Sequence, residues 1–317
     1  MPTRRTILRA CVLTGLSVPL VTSCGGGEEK PDELLALAAA ARRDARDAAR
    51  LAKATPELRQ QLDLVTTTRR AHATTLQSEI DREHPPDEDD PKPGPARGKA
   101  GSVEALAQAL DEAERSATQL IPRLPAYRAG LVGSVAGACA SLRGLAPELS
   151  TERDNQEEPE LEHLEPAGTI ELPAESVQGL QQALATEHAA MWVYGLVSAF
   201  LPADFAEALD RAAAEHRARR DATKRMLTSA SATPRPAEPA YQPPKPVNDE
   251  ASATGLVVTA EADATVAWRG VLERTDNRQL RGLALRALVS SAKRGSLWRA
   301  EAGQTPSVVA LPGKPGR

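Results

Sequence analysis

Between Ser176 and Leu227 the chain offers two long proline-free stretches, SVQGLQQALATEHAAMWVYGLVSAF and FAEALDRAAAEHRARRDATKRML, joined by a short LPAD turn. Their apolar residues recur every three or four positions, the spacing of a helix that turns one face to a core. Leu180, Leu184, His188, Met191 and Gly195 mark that stripe in the first stretch, where Glu187 and His188 interrupt it. Phe205, Leu209, Ala212, His216 and Met226 mark it in the second, with Glu215 beside His216. Charge on a core face must be paired, because an isolated buried charge is costly. Helices that turn Glu and His toward each other inside a bundle are also how a carboxylate metal site begins. What balances these residues is therefore the question the chain poses.

The remaining sequence predicts an all-α chain. Aromatics make up only 3% of the 317 residues, which favours helices packed through small side chains over a sandwich or a parallel sheet. Helices are predicted from Asp32 to Ala54 and, after a Thr55-Pro56 cap and first-turn proline, on to about Glu83. In the second of these, Arg69 and His72 fall on the inner stripe with Leu62, Val65, Leu76 and Ile80, where a lone His reads as a satisfied core histidine. Ser102 caps a third helix, and Ala126 to about Leu145 forms a fourth whose Gly130, Gly133, Ser134, Gly137 and Ala138 permit close approach of either its own bundle or a neighbouring subunit. The run HPPDEDDPKPGPARGKAG between the second and third helices reads as a solvated loop.

The acidic, proline-punctuated segment 147–173 is the strongest boundary in the sequence. It separates an N-terminal helical region at 31–146 from a four-helix domain at 174–303, and 304–317 reads as a disordered tail. The second region repeats the plan of the first, with a long loop, SATPRPAEPAYQPPKPVND, between its second and third helices. Such a repeat suggests duplication. All three tryptophans, Trp192, Trp268 and Trp298, lie in the second half and predict its firmer core.

The first residues read as an address. Arg4 and Arg5 lie in a twin-arginine-like run, Ala10 to Val21 is a short apolar segment, and Val21-Thr22-Ser23-Cys24 looks like a bacterial lipobox. Residues 1–23 are thus expected to be a signal peptide, and Cys24 a lipidated residue on a tether at 24–30. Lipid would then hold the exported chain on the outer face of the cell membrane. Formal net charge is −4, and loss of Arg4, Arg5 and Arg9 makes the mature chain more acidic still. No nucleic-acid partner is expected, since basic residues are scattered and not interleaved with aromatics. Cys139 is left as the lone thiol among small residues and reads as a buried structural group.

In the third helix of the second half, Thr254, Val258, Glu261, Thr265 and Trp268 keep the core spacing, so Glu261 joins Glu187, His188, Glu215 and His216 as an inward candidate. A complete di-iron or di-manganese site takes a Glu from two helices and a Glu-x-x-His from each of the other two. Ala190 and Ala218 stand where those histidines belong. The fourth helix, RQLRGLALRALVSSAKRGSLWRAE, offers Ser290, Ser291, Lys293 and Arg294 instead of a ligand pair. A cation from that helix can balance the carboxylates as a metal would. The expected core is a metal-free, salt-bridged plug with Lys293 or Arg294 as counter-charge and no cofactor. Iron or manganese held by Glu187, His188, Glu215, His216 and Glu261 is the alternative.

The segments ATEHAAMWVYGLVSAF, AEHRARRDATKRML and PAYQPPKPVND, followed by the helix with Glu261, resemble the ferritin-like domain of unknown function found in bacterial secreted lipoproteins. The resemblance spans roughly Glu175 to Glu301 and implies a ferritin-like four-helix bundle with no assigned activity. Function follows from the site and not from the fold. No Gly-rich phosphate loop, G-x-S-x-G elbow or H-E-x-x-H is present. The expectation is therefore a non-catalytic, lipid-anchored structural or interaction protein with an unknown protein partner, and a metal-handling or redox protein is its rival.

Overall fold

The computed structural model describes residues 31–85, 101–155 and 168–314. Arg4, Arg5, Cys24, the tether, most of the acidic loop and residues 156–167 of the linker lie outside the described residues. Within them the chain is helical, with no strand: α1 Leu35–Ala54, α2 Arg59–Glu83, α3 Val103–Leu120, α4 Ala126–Arg143, α5 Ala174–Val197, α6 Ala206–Ser229, α7 Glu250–Leu272 and α8 Arg278–Glu301. No helix among the described residues is long and apolar enough to cross a membrane.

Local chemistry sets several of the starts. Ser102 Oγ accepts from the Ala105 amide at 3.1 Å and opens α3. Asn277 Oδ1 does the same for α8 through Leu280 N at 3.0 Å. Asp249 and Ser252 form a reciprocal capping box at α7. The expected Thr55 cap is not made. Its side chain accepts no amide, and Pro56 instead opens a short 3₁₀ turn, Pro56–Leu58, ahead of α2.

Helix neighbours follow one order in both halves. α1 packs on α2, α3 on α4 and α1 on α3; likewise α5 packs on α6, α7 on α8 and α5 on α7. The segment 230–249 carries the chain from the end of α6 to the start of α7 as one long crossover.

The two-domain reading needs correction. Glu33–Arg317 is a single compact unit, and one apolar cluster draws Leu34 and Leu76 from the first half together with Leu184, Trp268 and Leu288 from the second. The helix responsible is α4, buried along its whole length from Arg128 to Arg143. A Cβ on Gly133 would stand 2.6 Å from Leu272 Cδ1, and one on Gly137 would stand 3.2 Å from Ala292 Cβ. The small-residue face thus packs on α7 and α8 of its own chain. Part of the linker is folded as well. Leu149 is fully buried, and Asp154 accepts from Arg143 Nη2 at 2.7 Å, which ties the segment back to α4.

The tail expected to be disordered is packed through residue 314. Val308 enters the cluster with Leu62, Leu106 and Leu142, and the carbonyls of Ala310 and Pro312 accept from His72 Nε2 at 2.7 Å and Ser134 Oγ at 2.6 Å. Hydrogen bonds from buried side chains to its backbone carbonyls are what hold a segment whose composition reads as loop. His72 is a satisfied core histidine: Arg69 Nη1 donates to its Nδ1 at 2.9 Å, and Arg69 also bridges to Asp44 at 2.7 Å. Burial, then Arg69, lowers its pKa to about 3. Arg69 Nη1 reaches Cys139 Sγ as well, at 3.3 Å.

Candidate functional site: a buried ion cluster

Four helices converge on one level of the second bundle. From α6, His216 points inward between two carboxylates. Its Nδ1 lies 2.6 Å from Glu187 Oε2 on α5, and its Nε2 lies 3.1 Å from Glu261 Oε1 on α7. All three side chains are fully buried. Both ring nitrogens face carboxylate oxygens, so both donate and the ring is an imidazolium. From α8, Arg294 Nε donates to Glu261 Oε1 at 2.7 Å, and Arg294 Nη1 donates to Glu215 Oε2 at 2.5 Å. Arg219 Nη2 and Ser290 Oγ also donate to Glu215 Oε2, at 2.9 and 2.6 Å. Arg219 Nη1 reaches Ser291 Oγ at 2.9 Å.

Two aromatics complete the shell. Trp268 Nε1 on α7 donates to Glu187 Oε1 at 2.6 Å, and Tyr194 OH on α5 donates to Glu261 Oε1 at 2.5 Å. The arrangement is reciprocal. Each helix carries an acid and, seven residues on, the aromatic that caps the other helix's acid. Two turns of helix separate such residues on one face, so the two acid-aromatic pairs match only when α5 and α7 run antiparallel.

Three carboxylates thus meet three cations: Glu187, Glu215 and Glu261 against His216, Arg219 and Arg294. Burial opposes charge on His216, but Glu187 and Glu261 outweigh it and raise its pKa. Burial likewise opposes ionisation of Glu261, yet Arg294 and His216 hold it well below the ordinary carboxylate range. Glu215 falls to about 2, against its partial burial, through Arg294 and Arg219. Burial and then the Glu261 charge push the Tyr194 phenol well above its usual value. Glu215 and Arg294 also border a cleft of about 590 Å³ between α6 and α8, walled by Phe205, Leu297 and Trp298. Glu261 Oε2 and Arg294 Nη2 are buried without a hydrogen-bond partner.

Two candidates from the sequence stay outside the cluster. His188 faces the other way, with its pKa lowered by burial and then by Lys224 and Arg220, and it bonds the Arg235 backbone. Lys293 makes no contact with the carboxylates. The reason is the same for both, because consecutive helix residues project about 100° apart. Only one of Glu187 and His188, and one of Lys293 and Arg294, can face a given point. Tyr194, Trp268 and Arg219 were missed. The available signal was spacing: seven residues after Glu187 and Glu261, and four after Glu215.

This set does not fit a di-metal centre. Both nitrogens of His216 are engaged with carboxylates, the Arg294 guanidinium occupies the space between Glu261 and Glu215, and Ala190 and Ala218 stand at the second ligand positions. Among the described residues no group of three or more His, Cys, Asp or Glu is placed to hold a metal ion.

All of these residues fall in the stretch 179–316 that matches the family described as Domain of unknown function (DUF4439). That match takes in less than half of the chain. The DUF4439 match runs through the tail as far as residue 316, beyond the boundary at 303 expected from the sequence. A conserved hypothetical protein from Mycobacterium tuberculosis, of known crystal structure, is 35% identical, with 41% of this chain and 98% of that chain covered and a TM-score of 0.40. No curated protein matches the chain.

Proposed function

We propose that this chain is an exported, lipid-anchored helical protein whose DUF4439 half is a ferritin-like bundle acting as a structural or interaction module. In this reading an internal salt-bridged plug takes the place of a di-metal centre. The observation that carries it is Arg294, whose guanidinium stands between Glu261 and Glu215 where a metal would neutralise the carboxylates. The single long crossover between α6 and α7 supports the ferritin-like description. Twin Arg4-Arg5 and the Cys24 lipobox support the address.

One observation favours the rival reading, in which the carboxylates take up iron or manganese: Glu261 Oε2 has no partner. Metal content decides between them. The chain from Gly25 onward, exposed separately to iron, manganese and zinc, is compared by mass spectrometry with a Glu187→Ala, Glu215→Ala, Glu261→Ala variant. The plug predicts no stoichiometric metal in either. Metal near one per chain that disappears in the variant sinks the plug and warrants oxidase assays. For the address, Cys24→Ala is expected to move the protein from the membrane fraction to the soluble one. A protein that stays with the membrane regardless refutes lipidation at Cys24.

A further inference from the structure

The PAYQPPKPVND run of the crossover plays no part in the ion cluster, yet it builds a wall. It lies along α5 and α7 and encloses with them a pocket of about 500 Å³, a size ordinary for a small organic ligand. Trp192 and Tyr241 form one side, with ring centroids 5.8 Å apart and planes tilted 35°. Ala189, Val193 and Val266 add apolar surface. Among the described lining residues Asp263 is the one charged group.

The wall is held in place before any ligand arrives. Gln181 on α5 donates through Nε2 to the Thr233 carbonyl at 2.7 Å and accepts from the Arg235 amide at 2.8 Å, pinning the crossover at both atoms of one side-chain amide. The Tyr241 hydroxyl accepts from the Glu238 amide at 3.1 Å, which orients the ring. Pro243 and Pro244 line the pocket with fixed backbone. Preorganisation of this kind lowers the entropy lost on binding.

Asp263 is unlike the acids of the cluster. It is exposed at the edge of the pocket, has no hydrogen-bond or ion-pair partner among the described residues, and partial desolvation raises its pKa. A carboxylate without a cation, lining the same pocket as a tryptophan and a tyrosine, offers the two elements that recognise an ammonium group, a counter-charge and π faces. We propose that this pocket binds a small organic cation, its ammonium group at Asp263 and its apolar body on the Trp192–Tyr241 wall. The site is separate from the plug, and the proposal goes beyond the structural role assigned to the bundle.

The test uses the full chain with benzyltrimethylammonium as probe and neopentylbenzene as its uncharged counterpart of the same shape. Indole resonances of the three tryptophans report the location. The cation is expected to shift the Trp192 indole saturably below about 10 mM, and the neutral compound and the Asp263→Asn variant are each expected to bind about fivefold more weakly. Asp263 has no partner to lose, so the variant keeps its fold, which an unchanged amide spectrum verifies. Absence of a saturable Trp192 shift overturns the site. Equal binding of the neutral compound, or unaltered affinity in Asp263→Asn, overturns the charge recognition. A shift confined to Trp268 or Trp298 places the binding elsewhere and also overturns it.

Discussion

Replacing Arg294 with Met removes the cation that meets Glu261 at 2.7 Å while keeping most of the apolar stem. Glu261 is then a fully buried carboxylate with only His216 and Tyr194 left to balance it. Breaking a buried pair from one side costs about 3–5 kcal/mol. The lower figure applies here because those two donors remain, so the expected loss is about 3 kcal/mol, a large part of a total stability of about 5–15 kcal/mol. The contact with Glu215 adds little, since that carboxylate is 48% exposed and such pairs contribute about 1 kcal/mol at most. Urea unfolding followed by far-UV circular dichroism reads the change as a shift in midpoint at constant slope. Glu261→Gln keeps an acceptor for Tyr194 and His216, so combined with Arg294→Met it should recover about 2 kcal/mol of the loss as coupling energy. A single-variant loss below about 1 kcal/mol, or strict additivity in the double variant, would refute the claim that Arg294 neutralises a buried Glu261.

Stability should pass through a maximum near pH 6.5, the ordinary histidine pKa of about 6.5. His216 is raised in the fold, so its contribution is complete below that value and is lost as pH rises through the folded pKa. His72 is lowered to about 3, so below about 6.5 the unfolded chain takes up a proton that the fold refuses, and stability falls. Urea midpoints across the range, with His216→Gln flattening the alkaline side and His72→Gln the acid side, check both signs. Gly313 has φ of +78°, and a Cβ there would overlap the Thr265 carbonyl oxygen, so Gly313→Ala should destabilise by about 2 kcal/mol or more, read again by urea. Burial raises the Cys139 thiol to about 11, and native protein should therefore leave it unreacted toward a disulfide reagent until urea opens the core. Rapid reaction in the folded state would contradict its burial.

The helices were legible because three- and four-residue spacing and clustered prolines are local properties of the chain. The candidate acids were legible for the same reason, since Glu187 and Glu261 each interrupt an otherwise apolar stripe. His188 and Lys293 were over-read, because a stripe drawn on a sequence is broader than the line along which two helices touch. The aromatic donors were under-read. Tyr194 and Trp268 look like ordinary core residues until the facing helix supplies the carboxylate each one caps. Composition misled in the tail and linker, where Val308 and Leu149 are buried by partners remote in sequence.

By itself, then, the sequence determined an all-helical chain, the helix bounds within a few residues, and an inward set of charges in its second half. It did so because helix formation and amphipathic patterning depend on neighbours within one or two turns. The tertiary structure decided which member of each adjacent pair faces the centre, that the two halves share a core through the glycine face of α4, and that Arg294 supplies the balancing charge. Those outcomes depend on helix rotation and on contacts between residues far apart along the chain, and no local spacing encodes them.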